Sequence, residues 1–447
     1  MTMGFETERL EEEIPMTMGF NTNEASSSSN ALKNPGEDDP FLGQKQQQQQ
    51  QQLSSPLKTF ANMFMSLVGA GVLGLPYTFK KTGWVMGSLL IISVGTLDYY
   101  CMMLLVYSKR KLESQSEDVK ISSFGDLGFA ACGSVGRIVV DAMIVLSQVC
   151  FSVGYMIFIA NTLVYLFNSS REQTNPKILG FSPKSMYIWG CFPFQLGLNA
   201  IPTLTLLAPL SIFAEIVDVG ALGVVMVQDV MIGIKKKPSL EMFGAFSIFF
   251  YGLGVAVYTF EAIGMILPLE SETRDKDKFG KILGLSVAFV AFLNSAFGAL
   301  GYFAFGEETK DIITTNFGKG LVSSLVQIGL CIDLFLALPL MMNPVYEVME
   351  RRFCEGRYCL WLRWLVVLTV PLVALTVPNF ADFTSLVGSS VCVVLGFVLP
   401  ALFHLIAFKD ELGWYSLALD ATFIVMGTAF AVYGTSSSLI KIFSQTA

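Results

Sequence analysis

Long apolar runs separated by short polar connections fill most of the chain. Beyond residue 57, predominantly apolar windows recur eleven times, and each approaches or exceeds the length of about 20 residues that crosses a bilayer as a helix. The predicted spans lie at residues 58–79, 84–107, 136–167, 185–201, 205–232, 246–269, 281–303, 320–345, 361–377, 385–407 and 413–438. The pattern predicts an all-α polytopic membrane protein.

The residues before the first span differ in kind from the rest of the chain. They contain runs of serine and glutamine together with several acidic clusters. Such a composition cannot bury enough apolar surface to fold. We therefore expect a disordered cytosolic tail at 1–57, a transmembrane domain at 58–438 and a short C-terminal tail at 439–447.

The composition is typical of a membrane protein and gives no indication of a metal, a cofactor or a nucleic-acid partner. Hydrophobic residues make up 53% of the 447 residues, charged residues 15%, and the mean hydropathy is +0.57. The single histidine, His404, is interpreted as a packed or interfacial residue, and the cysteines show no zinc spacing. We expect no metal and no cofactor. The net charge of −7 gives no reason to expect a nucleic-acid partner.

Most of the eight cysteines fall inside apolar runs, where a thiol behaves as a small hydrophobe. Cys354 and Cys359 instead share a basic loop that we place in the cytosol, where reducing conditions keep thiols free. This placement follows from the distribution of basic residues. A cytosolic amino end puts 18 of the 29 lysines and arginines on the cytosolic side, as the positive-inside rule favours.

A cluster of glycines interrupts the first span. Gly69, Gly71 and Gly74 lie within six residues, and each weakens a helix interior by roughly 1 kcal/mol relative to alanine. Backbone groups freed by a broken helix are tolerated in a bilayer only where they are packed in protein or line a polar cavity. The alternative is that the glycines let helices pack closely.

The sixth span has a similar interruption. Glycines, Pro268 and the acidic Glu261 lie between residues 249 and 270. Spans one and six correspond if residues 58–232 and 246–407 are two repeats, with 413–438 as an extra helix. A matched pair of interrupted helices indicates a transporter site, where half-helix ends and free carbonyls suit a zwitterion such as an amino acid.

The segments at 68–77 and 260–270 resemble the amino acid/auxin permease family, most closely its plant vacuolar amino acid transporter branch. The resemblance covers residues 56–440. It implies a LeuT-type fold with a 5+5 inverted repeat, broken helices 1 and 6, and alternating access. We expect substrate to be bound by Ser66, Gly69, Ala70, Gly71, Thr259, Phe260, Glu261 and Ala262. Ala262 replaces a glycine that is common in the family, a change that narrows the pocket.

The charged residues deep in the spans are acidic, because the lysines and arginines within the predicted bounds lie at the span ends. The acids are Asp98, Asp141, Glu215, Asp218, Asp229, Glu261, Asp333 and Asp420. Asp141, Asp229 and Asp420 lie near span ends and are expected to be wet, whereas Glu215 and Asp218 fit a polar packing face. Glu261 and Asp333 are the most central. Carboxylates without a basic partner suit an ammonium group or a proton and disfavour acidic substrates, so we expect neutral amino acids.

The residues before the first break bear on the driving ion. Sodium-coupled relatives carry a Ser-Asn pair where this chain has Phe64 and Met65. Because a hard cation prefers oxygen ligands, the sequence favours proton coupling, with Glu261 as the titrating group and Asp333 as a second candidate. The alternative for Glu261 is a structural acid that accepts backbone N–H bonds.

Two other classes of protein fit less well. A channel would need a filter sequence or an Arg-rich sensor, and an enzyme would need a catalytic constellation, which the chain lacks. We therefore expect a secondary transporter and not an enzyme. Its partners are an amino acid, a proton and the lipid bilayer. The resemblance implies the vacuolar membrane and export to the cytosol, with the plasma membrane as the alternative.

Overall fold

The computed structural model describes residues 54–115, 120–168, 182–202, 204–318, 320–377 and 379–446. The expected N-terminal tail therefore lies outside the described residues, apart from its last few positions. In chain order the α-helices are α1 (Pro56–Leu67), α2 (Leu75–Thr82), α3 (Trp84–Gln115), α4 (Phe124–Asn168), α5 (Pro183–Asn199), α6 (Leu204–Lys236), α7 (Phe249–Thr259), α8 (Ile263–Glu272), α9 (Phe279–Phe305), α10 (Leu321–Phe353), α11 (Leu360–Thr376), α12 (Phe380–Val387), α13 (Leu399–Ala407) and α14 (Trp414–Thr446).

The described part of the chain is nearly all helical, as the apolar runs predict. Eight helical stretches are long and apolar enough to cross a membrane, and α1 with α2 forms a ninth that is bent by 46°. The fourth and ninth predicted spans correspond to α5 and α11, which have only 17 residues each. The number of eleven transmembrane helices therefore stays a prediction.

Local sequence explains where several helices begin and turn. The Ser55 hydroxyl accepts a bond from the Lys58 N–H and Pro56 opens the first turn of α1, a favoured N-terminal arrangement. Helix α4 turns sharply at Gly133, where φ is 63°, a backbone conformation that favours glycine. The predicted third span, 136–167, is the arm of α4 that follows this turn.

Two glycines, Gly87 of α3 and Gly298 of α9, let the Phe79 ring of α2 pack between these helices. The Phe79 ring is completely buried. A Cβ added at Gly87 of α3 would lie 2.9 Å from this ring, and one added at Gly298 of α9 would lie 2.7 Å from it. Neither position has room for a larger residue, an example of small residues that permit close packing in membrane proteins.

The tenth and eleventh spans differ from their predicted form. Between α12 and α13 the chain forms two π-helical segments, Gly388–Cys392 and Val394–Val398, which the sequence did not predict. Helix α14 continues to Thr446, beyond the expected boundary at residue 438.

Several charges at the span ends are buried. Lys109, two residues beyond the predicted end of the second span, is 2% exposed and is neutralised by Glu270, which leaves the expectation of no basic residue deep in a span unchanged. Asp229 and Asp420 were expected to be wet but are buried. Asp420 bonds to His404 over 2.6 Å, which also shows that His404 is a packed residue.

Candidate functional site

The first span is interrupted at the glycine cluster. Helix α1 ends at Leu67, Val68 and Gly69 are extended, and a 3₁₀ turn over Ala70–Gly74 leads into α2. Within the described residues, the N–H groups of Gly69 and Ala70 have no hydrogen-bond acceptor. The break therefore presents free backbone donors at the start of the second half-helix.

The sixth span is interrupted in the same way. Helix α7 ends at Thr259, and α8 begins at Ile263 after Ala262, whose φ of −138° and ψ of 9° are not helical. Around the break, the Phe260 N–H donates to Val257 O over 3.3 Å and also approaches Tyr258 O, and the Glu261 N–H donates to Tyr258 O over 3.5 Å, so no regular α-helical bond is made there. Both interruptions predicted from the sequence are thus present.

The two interruptions meet at Gly71. A Cβ added to Gly71 would lie 3.0 Å from the Thr259 Cα and 3.0 Å from Cδ1 of Tyr258. Gly69, two residues earlier, is exposed and has no atom within 4 Å of an added Cβ. The glycines therefore differ: Gly71 permits a close contact between the two breaks, whereas Gly69 faces open space.

The expected binding residues divide into two groups. Three of them use their side chains elsewhere: the Ser66 hydroxyl donates to Asn62 O, the Thr259 hydroxyl donates to Val255 O, and the Phe260 ring is buried against Gly95 of α3. The Thr259 hydroxyl nevertheless lies at the crossing, 3.1 Å from a Cβ added at Gly71.

The two alanines at the breaks are buried, whereas Glu261 is partly exposed. Ala70 and Ala262 are 8% and 6% exposed. Glu261 is half-buried, and it is the charged member of the expected binding residues.

Glu261 has acidic and thiol neighbours. Its carboxyl group is in hydrogen-bonding reach of Cys392, in the first π-helical segment, and interacts electrostatically with Asp98 of α3. Oδ2 of Asp98 is buried and has no partner among the described residues. No backbone N–H of the described residues donates to the Glu261 side chain.

Asp333, the second candidate for proton coupling, lies in another acidic group. It is 8% exposed on α10, and its electrostatic neighbours are Asp218 and Glu215 of α6. Tyr155 of α4 faces the same three acids. The structure thus places Asp333 with the acids of α6 and not with Glu261.

Tyr258 is a candidate that the sequence reasoning missed. Its ring contacts the crossing at Gly71 and packs on Phe151, with ring centroids 4.8 Å apart. The Tyr258 hydroxyl is buried and has no partner among the described residues, so it can bond to a bound molecule. The sequence feature that could have identified Tyr258 is its position next to Thr259, at the end of the half-helix α7.

Ion pairs stabilise the C-terminal end of the first span. Asp382 of α12 pairs with Lys81 of α2 at 3.7 Å and with Lys441 of α14. The Lys81 ammonium also lies over the rings of Tyr77 and Tyr251, 4.2 and 4.5 Å from their centroids. This cluster joins α2, α7, α12 and α14 on the side opposite the amino end.

The amino-end side is fastened by other contacts. The Ser54 N–H donates to Glu272 O over 2.9 Å, and the Arg274 N–H donates to Ser54 O over 3.2 Å. Lys109 Nζ donates to Glu270 over 2.7 Å. The start of α1 and the end of α8 are therefore joined to each other, and α8 is joined to α3.

Comparisons with known proteins agree with this geometry. Residues 52–440 match the model of a family described as transmembrane amino acid transporter protein. The amino acid transporter AVT3C of Arabidopsis thaliana is 61% identical, over 96% of this chain and 99% of its own length. Vacuolar amino acid transporter 3 of Schizosaccharomyces pombe is 27% identical, over 90% of this chain and 61% of its own length.

Solved structures show the same fold. MhsT in complex with L-phenylalanine matches with a TM-score of 0.54 and 13% identity, over 87% of this chain and 99% of its own. Mhp1 in a closed conformation matches with a TM-score of 0.53 and 14% identity, over 89% and 93%. These neighbours confirm the expected LeuT-type architecture, and the length and identity of the sequence matches establish the relationship. The chain belongs to the transmembrane amino acid transporter family.

Proposed function

We propose that this transporter moves neutral amino acids by alternating access through the crossing of the two interrupted spans. The observation that carries the proposal is the contact of Gly71 with Thr259 beside the open space at Gly69. The free N–H groups of Gly69 and Ala70 suit a carboxylate, and Glu261 suits an ammonium group. An amino acid backbone offers both groups.

The charges around the site favour substrates with a neutral side chain. The described neighbours of Glu261 are Asp98 and Cys392, and no basic group is among them. A second carboxylate on the substrate would be desolvated next to two acids without a partner, which is costly. Glutamate and aspartate are therefore poor substrates.

We propose that transport is coupled to protons through Glu261. A carboxyl group that is removed from water and lies near another acid can exchange a proton as its access to water changes. Phe64 and Met65 stand where a sodium site would need oxygen ligands. Asp333, in its own group of acids, is a second proton-binding candidate.

The direction and location rest on relatives. The Schizosaccharomyces pombe relative carries the word vacuolar in its name, which supports a vacuolar membrane for this chain. The distribution of lysines and arginines supports an amino end in the cytosol. An acidic lumen would drive protons and amino acids together towards the cytosol. A fluorescent fusion found only at the plasma membrane would contradict the location but not the chemistry.

The test is uptake by purified protein in liposomes under an imposed proton or sodium gradient, with a panel of amino acids. Wild-type protein should accumulate neutral amino acids with a proton gradient alone. Glu261→Gln keeps most hydrogen bonds but holds the group neutral, so accumulation and its pH dependence should both disappear. A requirement for sodium, or unchanged pH dependence in the variant, would refute proton coupling. Saturable glutamate transport that neutral amino acids do not inhibit would refute the substrate class.

A further inference from the structure

Two cysteines meet at the turn between α10 and α11. Cys354 directly follows α10 and Cys359 directly precedes α11. Their thiols are in hydrogen-bonding reach of each other, and both side chains are half-buried. They are free thiols in this structure.

The backbone holds the two cysteines together. The Cys354 N–H donates to Glu350 O over 2.9 Å, and the Cys359 N–H donates to Glu350 Oε1 over 3.1 Å. Glu355 and Gly356, with φ values of 53° and 76°, form the tight turn between them. One residue thus fixes both ends of the turn and keeps the two cysteines close to each other.

We propose that Cys354 and Cys359 form a reversible disulfide when the protein meets a peroxide, and that this bond slows transport. One of the two thiols loses its proton to solvent and attacks one peroxide oxygen; the O–O bond breaks, and a sulfenic acid forms together with hydroxide, which takes up a proton from solvent and becomes water. The other thiol then loses its proton to solvent and attacks the oxidised sulfur; the S–S bond forms, the S–O bond breaks, and the hydroxyl group takes up a proton and leaves as a second water. Two thiols are oxidised by two electrons, and hydrogen peroxide is reduced to two waters.

Only a thiolate is an effective nucleophile, so the reaction begins when one of the two thiols loses its proton. Because the two cysteines are neighbours in the turn, either thiol can attack the sulfenic acid formed on the other.

Hydrogen bonds join the turn to three helices. A covalent restraint at the turn therefore acts on these helices, and through them on transport. Arg363 of α11 bonds to Glu350 through Nε over 2.7 Å and to Ile201 O, just beyond α5, over 3.0 Å. The Tyr358 hydroxyl donates to Ala200 O over 2.6 Å. A covalent bond at the turn therefore restrains the junction of α5, α10 and α11.

The chemical test uses the purified full-length protein and hydrogen peroxide. After peroxide, alkylation with N-ethylmaleimide and digestion, the wild-type peptide that contains both cysteines should be unlabelled and lighter by two hydrogen atoms. Dithiothreitol should restore both labels. Cys354→Ser and Cys359→Ser should not form the bond, whereas Cys132→Ser, which removes an exposed cysteine elsewhere, should behave as wild type. Full labelling of both wild-type cysteines after peroxide, or a bond to any other cysteine, overturns the site.

The transport test uses the same samples in liposomes, after size-exclusion chromatography has shown that each variant is folded. Oxidation should lower wild-type uptake by roughly two- to thirtyfold, the range expected when a remote restraint alters coupling, and dithiothreitol should reverse the loss. Cys354→Ser should be insensitive to peroxide. Unchanged uptake at complete disulfide formation overturns the effect on transport. Because this readout needs only amino acid transport, it is independent of the driving ion and of Glu261.

Discussion

Gly71→Ala and Gly69→Ala form a matched pair that tests the crossing of the two breaks. The Cβ of Gly71→Ala would lie 3.0 Å from both Thr259 Cα and Tyr258 Cδ1, closer than an ordinary van der Waals contact. The backbone of Thr259 cannot rotate away as a side chain can, so the two spans must separate. Such overpacking costs about 1–3 kcal/mol. Gly69→Ala adds the same methyl group in open space and at an extended φ of −135°.

The size of the effect follows from this energy. If the strain falls on the state in which the crossing is closed, about 1–3 kcal/mol corresponds to a 5–150-fold change in the equilibrium between states. We therefore expect Gly71→Ala to lose uptake by that factor and Gly71→Val to lose all of it. Gly69→Ala should retain most of its maximal rate, and its change should appear in substrate affinity.

The assay is initial uptake of a neutral amino acid into liposomes that contain equal amounts of each monodisperse protein. Substrate concentration is varied so that maximal rate and affinity are separated. Normal transport by Gly71→Ala would refute the requirement for close approach at the crossing. A Gly69→Ala protein as inactive as Gly71→Ala would show that the glycines act through backbone flexibility and not through the space around them.

Three further variants test other parts of the structure. Glu270→Gln leaves the buried Lys109 charge without its carboxylate and should destabilise the protein by about 3–5 kcal/mol, which lowers the melting temperature in detergent. Glu308→Gln, at an exposed ion pair, should change stability by less than about 1 kcal/mol. Equal melting temperatures of the two variants would contradict the role of burial. Tyr258→Phe removes an unpartnered hydroxyl, so it should keep the wild-type melting temperature but weaken substrate affinity, and unchanged affinity would exclude that hydroxyl from the site. Asp382→Asn weakens the cluster at the outer end and should raise maleimide labelling of a cysteine introduced nearby; unchanged labelling would show that the ion pairs do not hold this end closed.

The overall fold could be predicted because its signals are local. The length of an apolar run sets a span, and glycines within a run mark a break whether or not its partner is known. The contact of Gly71 with Thr259 joins two such local signals. The close approach itself could not be read from the sequence, because glycines that pack and glycines that face open space look the same there.

The rest of the site depends on contacts between distant parts of the chain. The sequence identified Glu261 but not its neighbour Cys392, because the π-helical segment that presents Cys392 arises from packing. Gly388 lies against the backbone of Gly254 with no room for a Cβ, and no local pattern encodes that contact. Lys109 was missed as a buried base for a similar reason, since its partner is 161 residues away in the chain.

The π-helical segments of the tenth span make it unusually tolerant of one change in length. In an α-helix each residue turns the chain by about 100°, so a deletion rotates everything beyond it to another face. A wide turn holds a surplus residue. Loss of one residue between 388 and 398 can be absorbed when the wide turn tightens, and the contacts at both ends, Asp382 with Lys441 and His404 with Asp420, keep their places. Such a deletion removes the contact between Cys392 and Glu261. The tenth span can therefore change next to Glu261 while the contacts at its two ends are kept.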